Sequence, residues 1–206
     1  MKVIKVPAGI YAANCYIVYC EKTKEGIVVD PGGDADDILR EIRNEKLIIK
    51  YIVLTHGHGD HIGGVEEIRN ELKVPLLAHP DEVQYLIDGS KNLSSIMATG
   101  TIEISADGFI KSRDVVEFGE LKAKVIHTPG HTLGGICLLI EDTLISGDTL
   151  FKGSIGRTDL FGGDYSTIIK SIKEKLLMLP DDTVVLPGHG AETTIGKEKR
   201  NNPFLK

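Results

Sequence analysis

Short apolar runs, each leading into a turn that carries a histidine or an aspartate, recur along this chain of 206 residues. Tyr51-Ile52-Val53-Leu54 leads through Thr55 to His56. Val125-Ile126-His127-Thr128 leads to Pro129-Gly130-His131, Thr143-Leu144-Ile145-Ser146 to Gly147-Asp148, and Thr183-Val184-Val185-Leu186 to Pro187-Gly188-His189. Apolar, β-branched runs of this length bounded by turn residues read as buried strands. Val3-Ile4-Lys5-Val6 alternates as a half-buried strand does, and Gly26–Val29 is a further strand. The 3.6-residue period appears in three places. Ile38, Leu39 and Ile42 share a face within Asp34–Asn44. Ile62, Val65, Ile68 and Leu72 predict a helix whose N-terminus lies just past His61. Ile168, Ile169, Ile172, Leu176 and Leu179 form a core-facing stripe over Asp164–Leu179, with Asp164 or Ser166 placed to cap it. Segment 86–118 keeps no period and is broken by Gly89, Ser90, Asn92, Ser94, Ser95 and Gly100, which predicts a loop. We expect that loop to border the chemistry and to contact substrate.

Composition narrows the class. Hydrophobic residues make up 41%, ordinary for a globular chain, and residues 1–206 fit one domain with a full core. A formal net charge of −6 argues against a nucleic-acid partner, and Lys197, Lys199 and Arg200 read as a solvated tail. No 18-residue apolar span is present, so no membrane association is expected. The chain opens directly on an alternating strand, so no signal peptide is expected. Three irregularly placed cysteines, Cys15, Cys20 and Cys137, fit a reducing cytoplasm and read as buried, inert thiols.

The chemistry concentrates in Thr55-His56-Gly57-His58-Gly59-Asp60-His61. Three imidazoles and a carboxylate within six residues are hard to explain by packing, and they suit a borderline metal such as zinc or iron. The intervening glycines let the backbone bend. Strands ending on one sheet edge would bring His131, Asp148 and His189 beside this run, giving seven candidate ligands. Seven exceed the needs of one ion and suit two ions sharing a bridging carboxylate. His56 and His58, two apart in an extended segment, point the same way and would bind the first ion with His131. Asp60 and His61 would bind the second with His189, and Asp148 would bridge. Two dications and two carboxylates leave a net charge of plus two, and a water between them loses a proton near pH 7.

These residues resemble the metallo-β-lactamase superfamily and, within it, the glyoxalase II-like hydrolases. The markers are Val29-Asp30-Pro31-Gly32-Gly33, the His56–His61 run, Gly130-His131-Thr132, Gly147-Asp148, Gly156-Arg157-Thr158-Asp159 and Gly188-His189-Gly190. The resemblance covers about Asn14 to Pro203 and implies an α/β fold, the αββα sandwich: two mixed β-sheets flanked by helices. It implies the same metal assignment, position by position. Superfamily β-lactamases commonly carry cysteine where this chain has Asp148, and flavodiiron proteins carry glutamate where it has His58. Typical glyoxalase II enzymes add a helical C-terminal domain that holds glutathione. Only 17 residues follow His189, so we expect no such domain.

The resemblance implies thioester chemistry on a small-molecule substrate. A metal-bridging hydroxide would attack the carbonyl, with Asp60 orienting it and Asp148 bridging the ions as the catalytic carboxylates. Zinc is the expected metal, with iron or manganese as alternatives. A mononuclear-iron, persulfide dioxygenase-like enzyme on His56, His131 and Asp148 is a rival reading. Hydrolysis of a lactone or phosphodiester is a second, and a metal-stabilised scaffold without turnover a third. Around the ligands, Asp30 is read as an acceptor that orients a ligand histidine, and Thr132 as a brace of the metal loop. Lys152 is the candidate contact for a substrate carboxylate. Arg157 either reaches an anionic substrate or braces its loop through Asp159, the reading we favour. His79 and His127 are read as packed or supporting residues.

Overall fold

A computed structural model describes residues 1–206. The first sheet is built in sequence order from β1 (Lys2–Ala8), β2 (Ala13–Tyr19), β3 (Glu25–Val29), β4 (Ile48–Val53), β5 (Leu76–Ala78) and β6 (Gly108–Phe109). Its first three strands are antiparallel neighbours, and β3 to β6 run parallel. The parallel pairs need crossovers. α1 (Ala35–Asn44) supplies the first, α2 (Gly59–Ile62) with α3 (Val65–Leu72) the second, and the segment that carries α4 (Val83–Leu86) the third.

The second sheet contains β7 (Val115–Phe118), β8 (Leu121–His127), β9 (Ile136–Ile140), β10 (Thr143–Gly147), β13 (Val184–Pro187) and β14 (Thr193–Thr194) in the order β14-β13-β10-β9-β8-β7. Only β10 and β13 pair in parallel. A small ribbon, β11 (Leu150–Phe151) and β12 (Ser154–Ile155), follows the second sheet's ligand edge. α5 (Tyr165–Ser171), continued by a π-turn through Leu176, and α6 (Ile195–Asn201) complete the chain.

Strand alternation sorts the core into three layers. β2 is buried along its whole length. Cys15 and Ile17 pack with Ile38, Ile42, Val65 and Ile68 of the helices. Tyr16 and Val18, one step along the pleat, pack between the sheets with Val125, Leu138 and Ile145. Cys137, Leu144 and Val185 turn the other way, against Ile168, Ile172, Leu176 and Ile195. Helix, sheet, sheet and helix therefore stack as an αββα sandwich.

Two expectations need correction. Segment 86–118 is loop only in part: Gly108–Phe109 adds an edge strand to β5, and Val115–Phe118 pairs with β8. Both gain their structure from long-range pairing that no local period announces. The helix expected past His61 begins earlier and is broken. Asp60 and His61 lie on α2, and the chain restarts at Val65. Gly63 and Gly64 press on the backbone of Pro31–Gly33, where Gly64 N donates to Pro31 O at 2.8 Å. Asp164 caps α5 by accepting from Thr167 N. No helix is long and apolar enough to cross a membrane. The three cysteines are buried and unpaired.

Candidate metal centre

The turns after β4, β8, β10 and β13 meet at one edge of the sandwich and bring all seven sequence-predicted ligands together. His58 Nδ1 lies 3.0 Å from His131 Nε2, and His56 joins them in a fully buried cluster. Asp60, His61 and His189 form a second cluster, with His61 Nε2 3.3 Å from His189 Nε2 and His189 Nε2 3.1 Å from Asp60 Oδ2. Asp148 stands between them. Its Oδ1 is 3.5 Å from His61 Nε2, and its Oδ2 is 3.7 Å from His131 Nε2 and 3.8 Å from His189 Nε2.

Hydrogen bonds on the far side of the rings assign the tautomers. His131 Nδ1 donates to the Arg157 carbonyl at 2.8 Å, and His61 Nδ1 donates to Asp30 Oδ2 at 3.1 Å. Thr55 Oγ1 donates to Asp30 Oδ2 at 2.5 Å and so accepts from His56 Nδ1 at 3.1 Å. His131 and His56 are left with a bare Nε2 facing the centre, and His61 Nε2 becomes bare once that ring gives up its second proton. Asp30 thus braces one ligand directly and another through Thr55, and it also accepts from Thr55 N at 2.7 Å.

Electrostatics divide the two clusters. Burial, reinforced by neighbouring imidazoles, holds His56 well below the usual histidine range and pushes His58 down to about 3. Burial also lowers His131. Neutral imidazoles are what a cation needs. His61 behaves oppositely: burial opposes its charge, but Asp148 and Asp30 outweigh that and raise it to about 10. The Asp60 hydrogen bond raises His189. Asp60 is held low because His189 and His61 outweigh its burial.

Whether the residues fit a metal is decided by atoms without partners. His56 Nε2, His58 Nε2 and Asp148 Oδ1 are buried and unbonded. Lone pairs left so are costly, and the donor set of imidazole and carboxylate suits a divalent ion. The two clusters and their shared carboxylate fit a dinuclear site. A separate group away from this centre, His79, Asp81 and His127, does not match this pattern. Its rings stack at 4.2 Å and 11°, and parallel planes cannot aim two in-plane lone pairs at one ion.

The glycines of the ligand run provide space, not an unusual backbone: neither Gly57 nor Gly59 has a positive φ. A Cβ at Gly57 would lie 2.8 Å from Tyr85 Cβ, and one at Gly59 would lie 2.7 Å from Met97 Sδ.

Among the remaining candidates, Arg157 turns its side chain to Asp159, with two hydrogen bonds of 2.8 Å. Thr132 is buried; its hydroxyl makes no hydrogen bond of standard geometry but lies near enough to Glu82 to favour that carboxylate's ionised form. Lys152 sits across His189 in a separate depression with Phe151, Gly190 and Ala191. The sequence reading missed Glu82. This wholly buried carboxylate accepts from Gly57 N and from Gly134 N, each at 2.7 Å. It therefore ties the His56–His58 turn to the turn after His131. Tyr85, one helical turn on, repeats the tie by accepting from Leu133 N and packing edge-on to His58. Pro80-Asp81-Glu82 reads as an ordinary surface turn, and no local signal marks its partners.

A cavity of about 290 Å³ opens onto the clusters, with His58, Asp60, His131 and Asp148 in its wall. Asn92, Leu93, Ile96 and Met97 of the 86–118 segment border it.

The chain belongs to the Metallo-beta-lactamase superfamily, whose family profile matches residues 8–189. It is 34% identical to hydroxyacylglutathione hydrolase GloC of Haemophilus influenzae, over 100% of this chain and 98% of that protein. The crystal structure of BLEG-1 B3 metallo-beta-lactamase superposes with a TM-score of 0.94 at 39% identity and covers both chains completely. The structure of TTHA1623 in a di-iron-bound form superposes with a TM-score of 0.87 at 33% identity, covering 98% of this chain and 100% of the other.

Proposed function

We propose that this protein hydrolyses small-molecule thioesters with the help of two divalent ions, zinc by preference. The observation that carries the reading is Asp148, whose two oxygens face different ligand clusters while Oδ1 is buried and unpaired. His56, His58 and His131 would hold one ion, Asp60, His61 and His189 the other, and Asp148 both. Ions bound there supply a Lewis acid for the carbonyl oxygen and acidify water to a pKa of about 7. The chain's own groups do the rest. Asp30, Thr55 and the Arg157 carbonyl engage Nδ1 of three imidazoles and so turn their Nε2 toward the centre. Asp60, kept ionised beside His189, would accept a hydrogen bond from the attacking water. Thioester specificity draws its support from the full-length likeness to GloC. Iron fits the same donors, as the di-iron form of TTHA1623 illustrates.

The test is hydrolysis of S-D-lactoylglutathione by protein whose zinc, iron and manganese have been counted. Turnover that disappears with a chelator and returns with added metal is the expected result. No turnover on any thioester, together with oxygen uptake on a glutathione persulfide at one iron per chain, would replace it with the dioxygenase reading.

A further inference from the structure

We infer that the substrate group flanking the scissile carbonyl is apolar and uncharged, so that the preferred thioesters join an aliphatic acyl group to a neutral thiol. This rests on the thioester reading above and sharpens it. The cavity has two kinds of wall. The ligand clusters form one; Tyr11, Leu93, Ile96, Met97 and Leu160 form the other. Ile96 is 81% exposed and Tyr11 57%. A single exposed isoleucine means little. Here apolar side chains from three separate stretches of chain ring one opening beside the chemistry, and such a concave apolar surface marks a ligand site.

The charges agree. Glutathione brings two carboxylates, whose recognition calls for charge-assisted hydrogen bonds. Of the lysines and arginines only Arg157 lines the cavity, and its Nε and Nη2 edge is engaged by Asp159. Lys152 lines a different depression. Away from the metal ligands an anionic carrier therefore finds one guanidinium already paired with a carboxylate, whereas an alkyl chain finds a wall.

That wall is built, not loose. Asn92 is fully buried, and its amide donates to the Tyr85 and Ile102 carbonyls at 2.8 Å each. Its Oδ1 accepts from Ser94 N, and its carbonyl accepts from Gly59 N at 2.8 Å. The loop that presents Leu93, Ile96 and Met97 is thus fastened to the ligand turn and stays beside the reacting carbonyl.

The test compares acetyl, butyryl, hexanoyl and octanoyl thioesters of N-acetylcysteamine with S-D-lactoylglutathione on metal-counted protein. kcat/KM is expected to rise about twofold or more per methylene, since full burial of a methylene is worth roughly fourfold. The hexanoyl ester should exceed lactoylglutathione by about tenfold or more. A flat or falling profile with lactoylglutathione preferred would overturn this inference and leave the thioester reading standing. Binding separates recognition from chemistry. The unhydrolysable thioether S-hexyl-N-acetylcysteamine, titrated by calorimetry, should bind more tightly than S-hexylglutathione. If no thioester turns over yet this order holds, the apolar site stands and the thioester chemistry falls; the reverse order overturns the site. Ile96→Ser combined with Met97→Ser should flatten the chain-length slope, and an unchanged slope counts against the inference.

Discussion

Asp30 Oδ2 lies 3.1 Å from His61 Nδ1, and the same oxygen receives the Thr55 hydroxyl that in turn receives His56 Nδ1. One carboxylate thereby orients one imidazole in each ligand cluster. Asp30 itself sits in the left-handed region at φ 52, which asparagine tolerates. Asp30→Asn therefore changes charge and hydrogen bonding with little backbone strain. Affinity for zinc should fall about 10–100-fold, as read by competition with a chelating dye.

Glu82 holds the two ligand turns together from beneath. In Glu82→Ala, Gly57 N and Gly134 N lose their acceptors in a fully buried place, at about 1–3 kcal/mol for each. Urea unfolding of the metal-free protein should show the loss, and Glu82→Gln, which keeps one acceptor, should fall between. Burial pushes this carboxyl up to about 7 from its ordinary 4.5. The folded chain then keeps a proton that the unfolded chain releases, so this group's contribution is full below about pH 4.5 and is lost as pH rises through about 7. The stability of the natural protein relative to Glu82→Gln should accordingly decline between pH 5 and pH 8.

Gly188 leaves room for Asp148. A Cβ there would fall 2.1 Å from Asp148 Oδ1 and 2.8 Å from His61 Cε1, and its backbone lies outside the left-handed region. Gly188→Ala should turn the carboxylate aside. Metal content per chain, measured by mass spectrometry, should drop below two, and hydrolysis should fall about 10–100-fold. The metal-free protein should also unfold more easily, because the buried His61 ring must give way along with the carboxylate.

Metal removal should lower the thermal midpoint without unfolding the chain, whose three apolar layers need no ion. At free metal about a thousandfold above Kd, binding adds about 4 kcal/mol. Burial works against a proton on His61, yet Asp148 and Asp30 hold it there up to about pH 10 in the metal-free protein. Metal must displace that proton, so apparent affinity should rise with pH, up to about tenfold per unit, across the neutral range. A pH-independent affinity would contradict this placement of His61.

Much of this architecture was legible in the chain itself. The runs before His56, His131, Asp148 and His189 announced four strand ends, and the helical stripes of α1 and α5 appeared where their periods placed them. What stayed hidden depends on distant partners. Two residues of edge strand at Gly108–Phe109 exist because β5 offers them hydrogen bonds. The early start of α2 and its break before α3 follow from the close approach of Gly63 and Gly64 to Pro31–Gly33. Glu82 looked like one acid among many, since only the folded chain puts Gly57 and Gly134 within its reach.

The candidate ligands are divided between the sheets. His56, His58, Asp60 and His61 follow β4 of the first, whereas His131, Asp148 and His189 follow β8, β10 and β13 of the second. Neither half can close a coordination shell by itself. A growing chain that has assembled only its first sheet offers an open claw that would hold a metal weakly and exchange it readily. With His189 among the proposed ligands, tight capture would await the end of the chain. On the reading proposed here, acquisition of the ions is a receipt for completed folding, and a chain mispacked between its sheets would be known by the metal it lacks.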